Sequence, residues 1–159
     1  MRRRRISLYA LSLALLALAL ILWIMRGPLL LRAASMGSPR AVEALLRLGA
    51  DPDAADQHGR TALHIAAEEG NVELARLLVY HGANLNPLDK DILSTPLVWA
   101  VVHGRRDVAK LLLESGADPN TTGPMGSALD NAAGDAEMTE LLVAHGARPT
   151  RSDASPRAQ

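Results

Sequence analysis

TALHIAAEEGNVELARLLVYHGANLN, residues Thr61–Asn86, contains the clearest structural signals in this chain. Thr61 is placed to cap a first helix, whose paired alanines allow a second helix to approach closely. Leu77 and Leu78 then provide an apolar face for the second helix. Gly82 ends that helix, because glycine adopts the left-handed conformation there at least cost. The stretch therefore predicts two short helices packed against each other.

The same pattern returns along the chain. Its opening residues are Pro28, Thr61, Thr95 and Ser127, at spacings of 33, 34 and 32 residues. Each opening leads to a leucine-rich run and then to a Gly-Ala pair. A single unit of this size cannot bury its apolar face, so stability comes from stacking the units on one another. The pairs are Gly49-Ala50, Gly82-Ala83, Gly116-Ala117 and Gly146-Ala147.

This pattern resembles the ankyrin repeat, a turn followed by two antiparallel helices in about 33 residues. The resemblance implies an all-α fold, an ankyrin-repeat solenoid of about four helix-turn-helix repeats. A polar tail, 151–159, is expected to be disordered. The repeats are expected at approximately 27–55, 56–88, 89–121 and 122–150.

The later repeats depart from the family pattern. Val98 stands where the family usually has histidine, and Leu93 stands where the preceding turn usually has glycine. The fourth repeat has Asp130 at the histidine position and loses two residues between its helices. End repeats are expected to be atypical, because they cap the stack with a more polar outer face.

Before the repeats lies an apolar segment. Residues 1–5 form a basic tip, and Ile6–Met25 contains no charged residue. Twenty helical residues span about 30 Å, the thickness of the hydrocarbon core of a bilayer. We therefore predict a transmembrane signal-anchor helix over 6–26, ended by Arg26, Gly27 and Pro28.

The charges around this segment predict its orientation. Arg2–Arg5 precede it, so the positive-inside rule places the N-terminus in the cytoplasm and the repeats outside. With 15 Arg and 2 Lys, the composition is taken as bacterial. The predicted location is the bacterial inner membrane, with the repeats in the periplasm. The alternative is a cleaved signal peptide, with Ala17-Leu18-Ala19 as a cleavage site and a repeat domain secreted to the periplasm.

Composition excludes several functions. Residues 27–159 carry 12 basic and 17 acidic residues, a net charge of −5, which argues against nucleic acid as a partner. The chain has no cysteine, so disulfides, thiolate zinc sites and cysteine nucleophiles are excluded.

The histidines do not indicate catalysis. The resemblance implies that His64 ties neighbouring turns together, while His81 and His145 lie at helix ends. His58 and His103 fall on the expected ligand-facing side, but without metal-binding spacing. There is no G-x-S-x-G elbow and no phosphate-binding loop. We expect no enzyme activity, no cofactor, no metal and no small-molecule substrate.

The resemblance implies a binding surface made of the turns between repeats, here called fingers, and the first helix of each repeat. Ile92, Val102 and Met125 are apolar at positions expected to be exposed, which suggests an interface. Local packing between irregular fingers is the alternative. Trp99 is expected to point between repeats into the core. The predicted protein-binding residues are Ser35, Met36, Gln57, His58, Arg60, Glu68, Glu69, Asp91, Ile92, Ser94, Val102, His103 and Met125.

The sequence thus predicts a membrane-anchored protein-binding module that faces the periplasm and binds, inhibits or stabilises an exported protein. The alternative is a structural scaffold that joins membrane or envelope complexes. Fold alone does not choose between these roles. The register also predicts that replacing Leu77 with Ala opens a core cavity, at a cost of about 2 to 5 kcal/mol.

Overall fold

The computed structural model describes residues 11–21 and 25–150, which form helices joined by tight turns. Apart from isolated bridges between Ala55 and Thr61 and between Gly123 and Gly126, these residues contain no β-structure. The helices are α1 (Leu11–Ile21), α2 (Arg26–Ser35), α3 (Pro39–Arg47), α4 (Ala62–Glu69), α5 (Val72–Tyr80), α6 (Pro96–Val102), α7 (Arg106–Glu114), α8 (Ala128–Asn131) and α9 (Ala136–Ala144).

Helices α2 to α9 stack as four hairpins. The first helices, α2, α4, α6 and α8, form one layer, and the second helices, α3, α5, α7 and α9, form the other. The core lies between the layers, and alanines on the first helices let the layers approach closely. The all-α solenoid predicted from the repeats is therefore confirmed. Its largest fully buried side chains include Leu30, Leu63, Leu74, Leu78, Leu97, Leu112 and Leu142.

The predicted caps form at the helix ends. Thr95 Oγ1 accepts a hydrogen bond from the Val98 backbone N–H at 3.4 Å at the start of α6. Gly82 follows α5 with φ = 79°, in the left-handed region. These contacts satisfy backbone groups that a helix leaves unpaired at its ends.

His64 links two repeats, as predicted. Its Nδ1 accepts a hydrogen bond from the Thr61 backbone N–H at 3.1 Å, so Nε2 carries the proton and donates to the Ser94 carbonyl at 3.1 Å. Burial lowers the pKa of His64, although the bond to Ser94 and the charge of Asp89 oppose this. The buried imidazole is therefore held in its neutral form.

This arrangement predicts a pH dependence of stability. The unfolded chain binds a proton at His64 near its ordinary pKa of 6.5, whereas the folded chain resists protonation. The free energy of unfolding should therefore decrease as the pH falls below 6.5, by up to about 1.4 kcal/mol per unit. Denaturation between pH 7 and 5 measures this. The slope should disappear in His64→Gln and persist in His145→Gln, whose histidine is exposed. An unchanged slope in His64→Gln would rule out His64 as its source.

In the fourth repeat, aspartate takes the role of the histidine. Asp130 Oδ2 accepts a hydrogen bond from the Ser127 backbone N–H at 2.8 Å, and Ser127 Oγ accepts from the Asp130 N–H at 3.3 Å. This reciprocal cap opens α8, a helix of four residues. The fourth repeat lacks two residues between its helices, and its first helix, α8, is correspondingly shorter than the first helices of the other repeats.

Leu93 adopts a strained backbone conformation, with φ = 49°. A non-glycine residue in this region destabilises the folded state by roughly 1 to 2 kcal/mol. Glycine removes this strain, but it loses more backbone entropy on folding, so the net gain in stability is smaller. We expect Leu93→Gly to raise the free energy of unfolding by about 0.5 to 1 kcal/mol in chemical denaturation. Leu88→Gly is the matched control, because Leu88 is equally exposed but not left-handed. Leu88→Gly should lower the free energy of unfolding. A change of the same sign in both variants would show that the backbone at Leu93 is not strained.

The predicted role of Leu77 is wrong by one residue. Leu74 and Leu78 are fully buried, whereas Leu77 is only partly buried and lines an open groove against α3. Adjacent residues of a helix point about 100° apart, and in α5 it is Leu78 that faces the core directly. The large cavity penalty therefore belongs to Leu78.

The junction at Arg26 also differs from the prediction. Residues 1–10, 22–24 and 151–159 lie outside the described residues, and with them the predicted basic tip 1–5, the predicted polar tail 151–159 and parts of the helix predicted over 6–26. Arg26, Gly27 and Pro28 begin α2, whereas they were expected to end the preceding helix. Proline is tolerated at Pro28 because the N–H groups of the first helical turn lack partners within the helix.

Within the described residues, no helix alone has both the length and the apolar composition to cross a membrane. Helices α1 and α2 satisfy both conditions only when taken together, and they are bent by 46°.

Candidate functional site

Two fingers form the edge of the candidate site. In the first, Asp56 Oδ1 accepts hydrogen bonds from the backbone N–H groups of His58 and Arg60 at 2.8 and 2.9 Å. In the second, Asp89 Oδ1 accepts from the N–H groups of Asp91 and Ile92 at 3.0 and 2.8 Å. An aspartate at the same place in each finger therefore fixes the same tight turn.

The fingers are tied directly to each other. The Lys90 backbone N–H donates to the His58 carbonyl at 2.7 Å. Gln57 Nε2 donates to His58 Nε2 at 3.0 Å, which leaves the proton on Nδ1 for Asp91 Oδ2 at 2.9 Å. His58 is therefore oriented on both sides of its ring.

Asp89 connects the second finger to helix α6. Its Oδ2 accepts a hydrogen bond from the Ser94 backbone N–H at 3.0 Å and another from Trp99 Nε1 at 3.1 Å. Burial acts to raise the pKa of Asp89, but the hydrogen bonds from Ile92, Trp99, Ser94 and Asp91 outweigh it and lower the pKa. The buried carboxylate stays ionised and holds the indole in place.

Trp99 is the site residue that sequence reasoning missed. Its ring is only half-buried, lies 4.8 Å from Arg60 Cζ in a cation–π contact, and stacks on the His103 ring at 5.5 Å. The expectation that it points between repeats into the core is confirmed in part, because the ring packs against core residues but also reaches the surface. Helical spacing gave one signal, because Trp99 lies three and four residues before Val102 and His103, but it did not distinguish a surface position from one between repeats.

The three apolar residues predicted at the surface come together in one pocket. This apolar pocket, of about 180 Å³, lies between the second and third fingers on the side of α6. Val102 and Met125 are 46% and 40% exposed, so the pocket is not closed by local packing. It is lined by Ile92, Ser94, Val98, Trp99, Val102, His103 and Met125.

Beside it lies a polar cleft of about 330 Å³ that shares Ile92 and Trp99 with the apolar pocket. Arg60 lines this cleft, and its guanidinium pairs with the carboxylate of Glu68, which is not one of the lining residues. The buried Nε of Arg60 has no hydrogen-bond partner in the described part of the chain. Trp99 therefore stands in the wall between an apolar and a charged recess. The cleft is lined by His58, Arg60, Asp89, Asp91, Ile92 and Trp99.

The remaining predicted residues lie outside both recesses. Gln57 is exposed on the first finger, and Glu69 is exposed at the end of α4. Ser35 and Met36 lie at the end of α2 in the first repeat, where Met36 lines a separate cavity. Across residues 11–21 and 25–150, no three His, Asp or Glu side chains are placed to hold a metal ion.

Comparison with known proteins gives a consistent result. A family model described as ankyrin repeats (3 copies) matches residues 30–123. The chain is 45% identical over 97 residues to the E3 ubiquitin-protein ligase KEG of Arabidopsis thaliana. It is 41% identical over 101 residues to an ankyrin repeat-containing protein of Treponema pallidum, and 37% identical over 91 residues to cyclin-dependent kinase inhibitor 2A of Monodelphis domestica.

Each match covers most of the repeats but only part of the relative. These three alignments cover 60%, 62% and 57% of this chain. They cover 6%, 34% and 53% of the respective relatives. The similarity therefore concerns the repeats and not the whole of those proteins.

Proposed function

Because this chain belongs to the ankyrin-repeat family, whose repeats are protein-binding modules, we propose that the apolar pocket and the polar cleft together bind a segment of a partner protein. The observation that carries the proposal is the position of Trp99. Its ring forms the wall between the two recesses and is held by Asp89. A rigid, partly exposed aromatic side chain beside an apolar recess is typical of residues that contribute most to binding energy.

The two recesses define the chemistry of the partner segment. An apolar side chain enters the pocket, where Val102 and Met125 are exposed to receive it. The neighbouring position faces Asp91, whose carboxylate is largely exposed. A basic residue of the partner would complement it.

The test uses Trp99→Ala. We expect this change to weaken partner binding by about 2 kcal/mol or more, roughly 30-fold, because it removes the wall that both recesses share. A photo-reactive amino acid at Val102 in the full chain identifies the partner by cross-linking, and calorimetry with the purified partner gives the affinities.

Tyr80→Ala is the matched control, since Tyr80 is an exposed aromatic residue that lines a groove against α3, away from both recesses. It should bind as the unchanged protein does. Equal affinities for Trp99→Ala and Tyr80→Ala would refute the assigned site.

We further propose that the apolar N-terminal segment, including Ile6–Met25, tethers the repeats to a bacterial inner membrane and places them in the periplasm. The support is the uncharged run after Arg2–Arg5 together with the exposed apolar side chains of α1. An enzyme active only after export, fused after Gln159, tests the orientation. Activity in intact cells is expected, whereas a stable but silent fusion would place the repeats in the cytosol.

The role of the tethered module is proposed to be inhibition or stabilisation of an exported protein. One relative, matched over 53% of its length, is named as a kinase inhibitor, which makes inhibition the first role to test. Deleting an inhibitor should harm the cell only while its partner is active, and deleting a stabiliser should lower the partner's yield. A large stoichiometric assembly would favour a scaffold. We propose no enzyme activity and no cofactor.

A further inference from the structure

The open end of the solenoid is apolar where a stack normally ends in a polar face. In the second repeat, Leu74, Leu77 and Leu78 lie on the side of α5 that packs into the stack, and Leu74 and Leu78 are fully buried. At the repeat spacing of 33 residues, Ala41, Ala44 and Leu45 of α3 occupy the same positions. Among the described residues no repeat precedes α3 to cover this side, and Leu48, directly after α3, extends it.

Helix α2 adds a second apolar row to this end. Leu29, Arg32, Ala33 and Met36 lie at i, i+3, i+4 and i+7 and line one cavity of about 480 Å³ together with Ala41, Ala44 and Leu45. Met36 is 71% exposed and Leu48 is 65% exposed. We call this surface the end face. Terminal repeats usually need a polar outer side to remain soluble, so the end face requires a covering surface.

The charge at this end of the domain indicates which kind of surface covers the end face. Residues 26–50 carry four arginines and one acid, a net charge of +3, whereas residues 51–159 carry nine basic and sixteen acidic residues, a net charge of −7. Among the described residues, Arg26, Arg32 and Arg40 have no acidic partner, and Glu43 is paired with Arg47 at 2.6 Å. The basic end of an otherwise acidic domain thus coincides with its uncovered apolar side.

Chain connectivity points to the same surface. Only residues 22–25 separate α1 from α2. The side chains of α1 are exposed along its length, with its leucines 52–67% accessible, so α1 does not cover the end face. Whatever apolar phase accommodates α1 therefore lies close to the start of α2, which begins five residues after the end of α1 and carries Leu29 and Arg32.

We infer that the end face lies on an anionic bilayer surface, with its apolar side chains at the level of the headgroups and its unpaired arginines on lipid phosphates. This inference rests on the proposed membrane tether and adds a lipid class and a fixed orientation to it. Apolar side chains flanked by arginine are suited to the membrane interface, where the stem is buried and the charge meets a phosphate. The orientation directs the acidic later repeats, including the binding site, away from the membrane.

The experiment uses the absence of cysteine from the chain, because one introduced cysteine is a unique labelling position. Full-length Met36→Cys and Val143→Cys carry the same environment-sensitive fluorophore, since both positions are exposed and apolar but lie at opposite ends of the solenoid. The proteins are reconstituted in phosphatidylcholine vesicles with or without phosphatidylglycerol, and flotation confirms that they are bound.

In phosphatidylglycerol vesicles, the fluorescence emission of the probe at Met36 is expected to shift to shorter wavelength and to be quenched by headgroup-labelled lipid. The probe at Val143 is expected to remain accessible to quenching by iodide. Arg32→Gln, at an arginine that lines the end-face cavity, should lower the ratio of shielded to exposed Met36 probe by about fivefold, and high salt should do the same.

The alternatives give different results. Protein that does not float with vesicles would contradict the tether itself. Floating protein whose Met36 probe is as accessible as that at Val143 would overturn the inference and leave the tether intact. If the Met36 probe were shielded equally in pure phosphatidylcholine vesicles, the inference would also be overturned, because α1 would then be indicated as the cover of the end face. If the shielding of this probe increased with protein concentration, a second copy of the chain would be indicated as the cover, and the inference would again be overturned.

Discussion

Leu78→Ala is expected to lower the free energy of unfolding by about 2 to 5 kcal/mol, because it removes three carbons from a fully buried position between the two helical layers. Helix α5 packs on both α3 and α7, so a cavity there weakens two repeat interfaces. Since domains of this size are stable by only about 5 to 15 kcal/mol, the variant should lose a large part of its stability. Chemical denaturation followed by circular dichroism measures the change.

Leu77→Ala is the matched control, since it removes the same atoms from the adjacent residue. Leu77 is partly buried beside an open groove, so water can replace the lost side chain, and the cost should be about 1 kcal/mol. A larger loss for Leu77→Ala than for Leu78→Ala would contradict the orientation of α5 described above.

Gly123→Ala is expected to separate the second and third fingers. A Cβ atom at Gly123 would overlap the backbone carbonyl oxygen of Leu93 and lie 3.1 Å from that of Ile92. The obstacle is backbone, which cannot rotate away as a side chain can, so one finger must move. Overpacking of this kind costs about 1 to 3 kcal/mol.

The effect of Gly123→Ala on binding should exceed its effect on folding. Ile92 and Met125, on the two fingers that are forced apart, line the same apolar pocket. Partner affinity should fall about as much as in Trp99→Ala, as measured by the same calorimetry. Thr122→Ala changes the neighbouring exposed residue of the same finger and should preserve both stability and affinity. Unchanged binding by Gly123→Ala would show that the close approach of the fingers is not required.

The repeat period alone was enough to predict the solenoid, because each local signal satisfies a backbone requirement that does not depend on distant residues. Thr95 caps a helix, Gly82 ends one, and His64 fits between two turns wherever the repeat recurs. The unusual backbone at Leu93 was likewise detectable, since the family pattern has glycine there.

The candidate site could be predicted only in part. The register selected Ile92, Val102 and Met125 as exposed apolar residues, but it did not show that all three line one pocket. The sequence pattern places Trp99 in the core, because no local signal shows that its indole is held near the surface. Its hydrogen-bond partner, Asp89, lies ten residues earlier on a finger and is brought to the indole only by the fold.

The number of helices per repeat, their caps and the order of stacking can be predicted from the amino-acid pattern, since they follow from local hydrogen bonding and a repeated apolar pattern. The packing of the helices in three dimensions, in contrast, decided which of Leu77 and Leu78 is buried and where Trp99 faces. It also decided that Arg26 begins a helix. Each of these depends on which neighbouring surface covers a side chain or a backbone turn, and that is set by the rotation and spacing of packed helices, which a one-dimensional pattern does not specify.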